Sequence, residues 1–200
     1  MQLEGLRVGF AITGSHCTYQ DVWPQIEKLV SLGVDLYPIA SHAVAFTDTR
    51  FGKGREIIKK FEQLAAKPVI IEIVDAEPIG PKQLLDLMVI APCTGNTAAK
   101  LANSITDTAV TMAAKAVLRN CRPVLLAIST NDGLGMNAKN IGVLLNTRNV
   151  FFVPFGQDNP EHKPNSLVAD MNLIIPAMMA AVSHQQMQPV LIERTVRQAK

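Results

Sequence analysis

The residues in this chain best placed to do chemistry are small and polar, and they follow apolar runs. Pro92-Cys93-Thr94-Gly95-Asn96-Thr97 comes after the run 87–91 and precedes helical spacing through Ala98, Leu101 and Ala102. A strand that ends this way and runs into a helix leaves unpaired N–H groups at the carboxyl edge of a sheet. Open α/β sheets bind phosphates and other anions there. Thr94, Asn96 and Thr97 would add side-chain donors; equally, one of them can simply cap the helix. Thr13-Gly14-Ser15 is a second such place, after the run 6–12. It is not GxGxxG, so the dinucleotide fingerprint is absent. A lone Gly-Ser before a helix suits a monophosphate, or is a generic tight turn. Ser41-His42 ends a third run, and His16 and His42 lie beside the same expected pocket, either solvated or catalytic. The polar stretch 47–54 reads as a mobile loop whose Arg50, Lys53 and nearby Arg55 either meet an acidic substrate or form a solvated face.

Strands alternating with helices must bring these turns together. Val22, Ile26, Leu29 and Val30 share a helical face that Gly33 ends at C′. Pro24 belongs in the first turn of such a helix, which places its start near Asp21. Residues 34–39 predict a second strand, 57–65 an amphipathic helix, and 69–74 a third strand. After the central stretch, 110–118 continues as a small-faced helix and 124–128 as a buried strand. Ser129-Thr130-Asn131-Asp132-Gly133 and Gly135-Met136-Asn137 follow it, then a helix through Ile141, Leu144 and Leu145. Residues 151–155 predict the last core strand. The loop 156–165 holds two prolines. Next comes a helix over 166–186, kinked at Pro176 and rich in methionine, and then a tail at 188–200. The alternation predicts one α/β domain over 1–200: a three-layer, doubly wound, mostly parallel sheet of Rossmann-like or flavodoxin-like kind.

Composition narrows the function classes. At 48% hydrophobic and 18% charged, the 200-residue chain can bury a substantial core. Its apolar runs are too short to span a bilayer, and its first residues do not resemble a secretory leader. A net charge of +2 argues neither for nor against nucleic acid, but no basic block stands out before the tail and 5% aromatic residues offer no base-stacking platform, so nucleic acid is not expected. Cys17, Cys93 and Cys121 have neither disulfide nor zinc spacing and read as reduced thiols of a cytoplasmic protein, with no metal site.

The segment APCTGNTAAKLANSITD resembles the APASANT-type motif of the flavin-binding, cysteine-decarboxylase-like flavoproteins. Their pattern continues A-K-x-A-x-G-x-x-D; Ala99, Lys100, Ala102 and Asp107 match, and Ser104 replaces the glycine. Thr13-Gly14-Ser15 is similar to the turn with which that family holds the phosphate of FMN. The resemblance implies an FMN site built from Gly14, Ser15, His16, Ser41, Pro92, Cys93, Thr94, Asn96, Thr97 and Asn137, and it implies oligomers. Two departures stand against decarboxylase chemistry. Where that family carries a histidine, this chain reads Ala76-Glu77-Pro78-Ile79-Gly80-Pro81. Its substrate clamp P-A-M-N-x-x-M-W survives only as Gly135-Met136-Asn137, with Asn140 and Ile141 at the Met and aromatic positions.

STNDGLGMNAKN and VPFGQDNPEHKPNSLVADM extend the likeness over nearly the whole chain. They resemble the flavoprotein-like subunit of a two-subunit oxidoreductase that makes a pyridine dicarboxylate for endospores. This likeness implies a nicotinamide-binding partner subunit that holds NADP, a small dicarboxylate substrate, and the mother-cell cytoplasm. Arg50, Lys53, Arg55 and Lys100 are the expected carboxylate-binding cations, and the isolated chain is expected to be inactive. Two other readings stay open: a self-sufficient FMN-dependent decarboxylase, and a non-catalytic oligomeric scaffold.

Overall fold

A computed structural model describes residues 3–193. The central strand is β3, Leu87–Cys93, buried along its whole length as its unbroken apolar run demands. Burying each of its large side chains contributes about 1.5–3 kcal/mol. Strand β1 (Arg7–Ile12) lies parallel to it, with β2 (Asp35–Ala40) parallel to β1 on the outside. On the other side come β4 (Val124–Thr130) and then β5 (Val150–Phe152), both parallel. The parallel order β2-β1-β3-β4-β5 reverses direction between β1 and β3, the kind of switch point where such sheets bind ligands.

Helix α1 (Tyr19–Ser31) packs against α3 (Gly54–Ala65) and α8 (Ile174–Val182). Helix α6 (Ala109–Arg119) packs against α4 (Ile73–Ala76) and α5 (Gly95–Ala102), and α5 in turn against α7 (Ala138–Leu145). A five-residue helix, α2 (His42–Phe46), follows β2 directly. The result is the mostly parallel, Rossmann- or flavodoxin-like sheet flanked by helices that the alternation predicts. Phe61 joins α3 to the rest by edge-to-face contacts with Phe10 of β1 and Trp23 of α1, at ring separations of 6.3 and 5.9 Å.

Several expectations are corrected. Residues 69–74 are not a strand: Ile70 makes a single parallel bridge to Ile39, and the chain then turns into α4. That turn buries Ala76 and Ile79 beside α6, so tertiary packing overrides a β-branched run. Residues 151–155 break at Pro154, which has no N–H for a ladder. Beyond it β6 (Phe155–Gly156) pairs antiparallel with β7 (Leu167–Ala169).

The helix expected over 166–186 therefore begins as a strand, with β7 also pairing antiparallel with Thr130 and Ser129 of β4. The helix proper starts at Ile174, after Asp170 accepts a bond from the Asn172 N–H at 3.1 Å. Pro176 falls in its first turn, where its missing N–H is harmless. Pro24, by contrast, sits in the second turn of α1, which begins at Tyr19 rather than near Asp21. Pro24 and Gln20 are both exposed, so water can serve the carbonyl left unbonded. Of the expected tail, Val190 and Ile192 bond the Phe155 backbone along the sheet edge; residues 194–200 lie outside the described residues.

Candidate functional site

The carboxyl ends of β1, β3 and β4 meet at one polar seam. Thr13, 1% exposed, ties two of them: its hydroxyl donates to the Pro92 carbonyl at 2.6 Å and accepts from the Thr94 N–H at 3.0 Å. The Thr13 carbonyl in turn accepts from the Ser15 N–H at 2.8 Å and the Tyr19 hydroxyl at 3.0 Å. The third strand end joins through Ser15 and Ser129, whose hydroxyls are 2.7 Å apart. Above this seam opens a cleft of about 770 Å³. Gly14 to Cys17, Thr94, Gly95 and Ser129 to Asp132 line it, with Thr49 to Phe51 and Lys163 on its rim. That volume is in the usual range for a small-molecule site.

The expected site residues divide into groups. Gly14, Ser15, His16 and Thr94 line the cleft together. A Cβ at Gly14 would meet Ala43 at 3.5 Å, an ordinary van der Waals contact. The His16 ring leans on Tyr19 at 5.0 Å; its Nδ1 is buried without a partner, and burial lowers its pKa, favouring the neutral ring. Thr94 does cap α5, accepting from the Thr97 N–H at 3.3 Å, while the two hydroxyls lie 3.1 Å apart. Asn96 is exposed on the first turn and does not line the cleft. Pro92 and Cys93 are interior strand residues that position Thr94 and do not face the cleft. Burial pushes the Cys93 thiol up to about 12.

Ser41 precedes α2 and donates its N–H to the Ile12 carbonyl at 3.1 Å; its Oγ is buried with no hydrogen-bond partner. It lies behind the cleft wall and is absent from the lining. Asn137 stands behind Gly95. It donates to Asp132 at 3.2 Å and accepts from Asn140 at 2.9 Å, and a Cβ on Gly95 would come within 2.6 Å of its amide nitrogen. Asn140 and Ile141, at the altered clamp positions, are both buried.

Of the expected cations only Arg50 lines the cleft. Lys53 and Arg55 are exposed outside it. Lys100 is held by both oxygens of Asp107 at 2.8 Å, which lowers the pKa of that aspartate. Conversely, Lys163 was not expected and belongs to the rim, as do Ser129, Thr130, Asn131 and Asp132 to the wall. The wall residues had a readable signal: they end the buried run 124–128 just as Thr94 ends 87–91. Lys163 had none, because nothing in a polar loop says which of its charges turns inward.

Chemically the cleft combines hydroxyls, a helix start and two cations, groups suited to an anion. Thr94 and Gly95 bring the start of α5 to the cleft, the hydroxyl residues Ser15, Ser129 and Thr130 line it, and Arg50 and Lys163 supply positive charge. Asp132 is the counterweight, but its carboxylate is engaged by the Met136 N–H at 3.0 Å and by Asn137. Among the described residues no cluster of His, Cys, Asp and Glu could hold a metal ion, and no helix is long and apolar enough to cross a membrane.

Comparison with known proteins bears on the family and the fold. The chain is 56% identical to the B-type subunit of dipicolinate synthase of Bacillus subtilis over 191 residues, 96% of each protein. It superposes on the crystal structure of the same subunit of the Bacillus halodurans synthase with a TM-score of 0.89 and 53% identity, covering 98% of this chain and 100% of that one. Burkholderia xenovorans DmrB in complex with FMN, a cubic protein cage for redox transfer, shares the fold at a TM-score of 0.66 and 17% identity, over 89% of this chain and 96% of that one. The Flavoprotein family profile matches residues 1–184, and the chain belongs to that family.

Proposed function

We propose that this chain is the B-type subunit of a dipicolinate synthase. It acts with a nicotinamide-binding A-type subunit to oxidise a dihydrodipicolinate-type precursor to dipicolinate in the cytoplasm of sporulating cells. The observation that carries this reading is the 56% identity spanning 96% of both chains. In the oxidation the substrate loses a hydride to NADP on the partner and a proton to solvent. The present chain contributes carboxylate recognition and closure of the site, and it forms a homo-oligomer.

The residues present fit FMN. The cleft is roomy, the hydroxyls of Ser15, Thr94 and Ser129 belong to residues that line it, and the buried Nδ1 of the lining residue His16 has no partner. Gly14, Ser15 and the first turn of α5 would hold the phosphate end, with Thr94 and His16 beside the rest. When bound, FMN supplies hydride acceptance. Independent decarboxylation is disfavoured because residues 76–81 contain no histidine and close α4 against the α6 layer.

The test mixes this chain with its purified nicotinamide-binding partner and substrate, and follows NADP reduction. Full activity only in the mixture supports the proposal. A full rate from the partner alone makes this chain a scaffold. Turnover by this chain alone, whether of the dicarboxylate or with release of carbon dioxide from a cysteine-like substrate, overturns the assignment. An absorbance spectrum of the co-purified complex reports bound flavin.

A further inference from the structure

Two cations reach the cleft from separate loops, and neither is committed to a close carboxylate. Arg50 sits at the tip of the turn between α2 and α3. Reciprocal Thr49 and Gly52 backbone bonds of 3.0 and 3.1 Å close that turn, and Asp48 anchors it by accepting from the Gly54 N–H at 3.1 Å. Its guanidinium lies 4.8 Å from the centre of the Phe51 ring, which orients the fork while leaving its donors open. Among the described residues it has no ion-pair partner.

Lys163 comes from the loop between β6 and β7. That loop is braced: the Lys163 N–H donates to the Asn159 carbonyl at 2.8 Å, the Leu134 N–H to the Asn165 carbonyl at 3.0 Å, and Gln157 to the Pro164 carbonyl at 2.8 Å. The Lys163 ammonium is 3.8 Å from Asp158, at the outer limit of an ion pair, and the other oxygen of Asp158 is buried with no donor. The pairing is loose enough for a ligand carboxylate to take the lysine. The only carboxylate lining the cleft among the described residues is Asp132, already turned to its own loop.

We propose that Arg50 and Lys163 are the paired carboxylate-binding groups of the cleft and select a small dicarboxylate over the matching monocarboxylate. Arg50 takes one carboxylate through its fork and Lys163 the other, while the hydroxyl and N–H floor between them remains neutral. The inference rests on the synthase reading, and its failure can be told apart from the failure of that reading.

The experiment titrates the two-subunit complex calorimetrically with pyridine-2,6-dicarboxylate and with pyridine-2-carboxylate, in metal-free buffer. The wild-type complex should prefer the dicarboxylate by about tenfold or more, the effect of one added charge-assisted contact. Arg50→Gln and Lys163→Gln should each remove that preference. Lys163→Arg should retain it, and the exposed neighbours Lys53→Gln and Arg55→Gln should leave it unchanged. Unaltered melting temperatures exclude unfolding as the cause. If both single variants bind the dicarboxylate as the wild type does, the pairing is wrong while the synthase reading stands. If the wild-type complex binds neither acid, both fall.

Discussion

The hydroxyls of Ser15 and Ser129, 114 residues apart in sequence, lie 2.7 Å from each other across the ends of β1 and β4. Because β3 lies between those strands, the bond bridges over its carboxyl end at the base of the cleft. Ser15 thus links two strand ends and also lines the cleft.

Replacing Ser15 by Asp puts a negative charge against that seam and into the proposed phosphate nest. Flavin fluorescence titration should show FMN affinity falling by tenfold or more, since like charges repel in a partly buried site. Ser129→Ala keeps the Ser15 hydroxyl and should change the affinity by less than about threefold. Equal loss in both variants would locate the effect in the seam rather than the charge.

The cysteines should separate by reactivity. Cys17 and Cys121 are exposed, whereas Cys93 is buried and its thiol is pushed up to about 12. A thiol so raised holds almost no thiolate near neutrality. Ellman titration of the native chain should therefore find two fast thiols, with the third appearing only in denaturant. Three fast thiols would contradict the buried setting of β3.

Gly54 begins α3 with no room for a side chain. A Cβ there would lie 2.6 Å from the Ala45 carbonyl oxygen and 2.7 Å from that of Val44, both backbone atoms that cannot swing aside. Gly54→Ala should lower the unfolding free energy by about 1–3 kcal/mol, as overpacking does. It should also weaken dicarboxylate binding, because the same residue anchors the Arg50 turn. Urea denaturation read beside the calorimetric titration checks both effects.

Asp86 joins strand β1 to the segment before β4, accepting from Arg7 at 2.6 and 3.0 Å and from Arg122 at 3.2 Å. The Arg7 bonds hold its pKa below the usual carboxylate range. A pKa depressed on folding adds stability above the unfolded value, near 3.9, that is lost as pH falls through the folded value. Asp86→Asn should thus cost about 1 kcal/mol at pH 7, a modest figure because Arg7 is partly exposed. The gap between wild type and variant should close below about pH 4. A constant gap from pH 7 to pH 3 would mean that packing, not charge, accounts for the loss.

Local sequence determined the α/β class, the strands β1 to β4, and the small polar residues at their carboxyl ends. Each of these follows from properties of a few neighbouring residues: an apolar run buried on both faces, a helical period, or a threonine able to cap. Tertiary structure decided the rest. Residues 69–74 carry strand propensity, but only one rung is available beside Ile39, so the segment folds under α6 instead. Leu167 to Ala169 read as the start of a helix until the outer edge of β4 offered them partners. Lys100 and Lys163 look alike in the sequence; Asp107 neutralises the first, and the braced loop carries the second to the rim of the cleft. Charge type is written in the residue, but which charge is spent on a neighbour and which faces a ligand depends on partners far away in the chain.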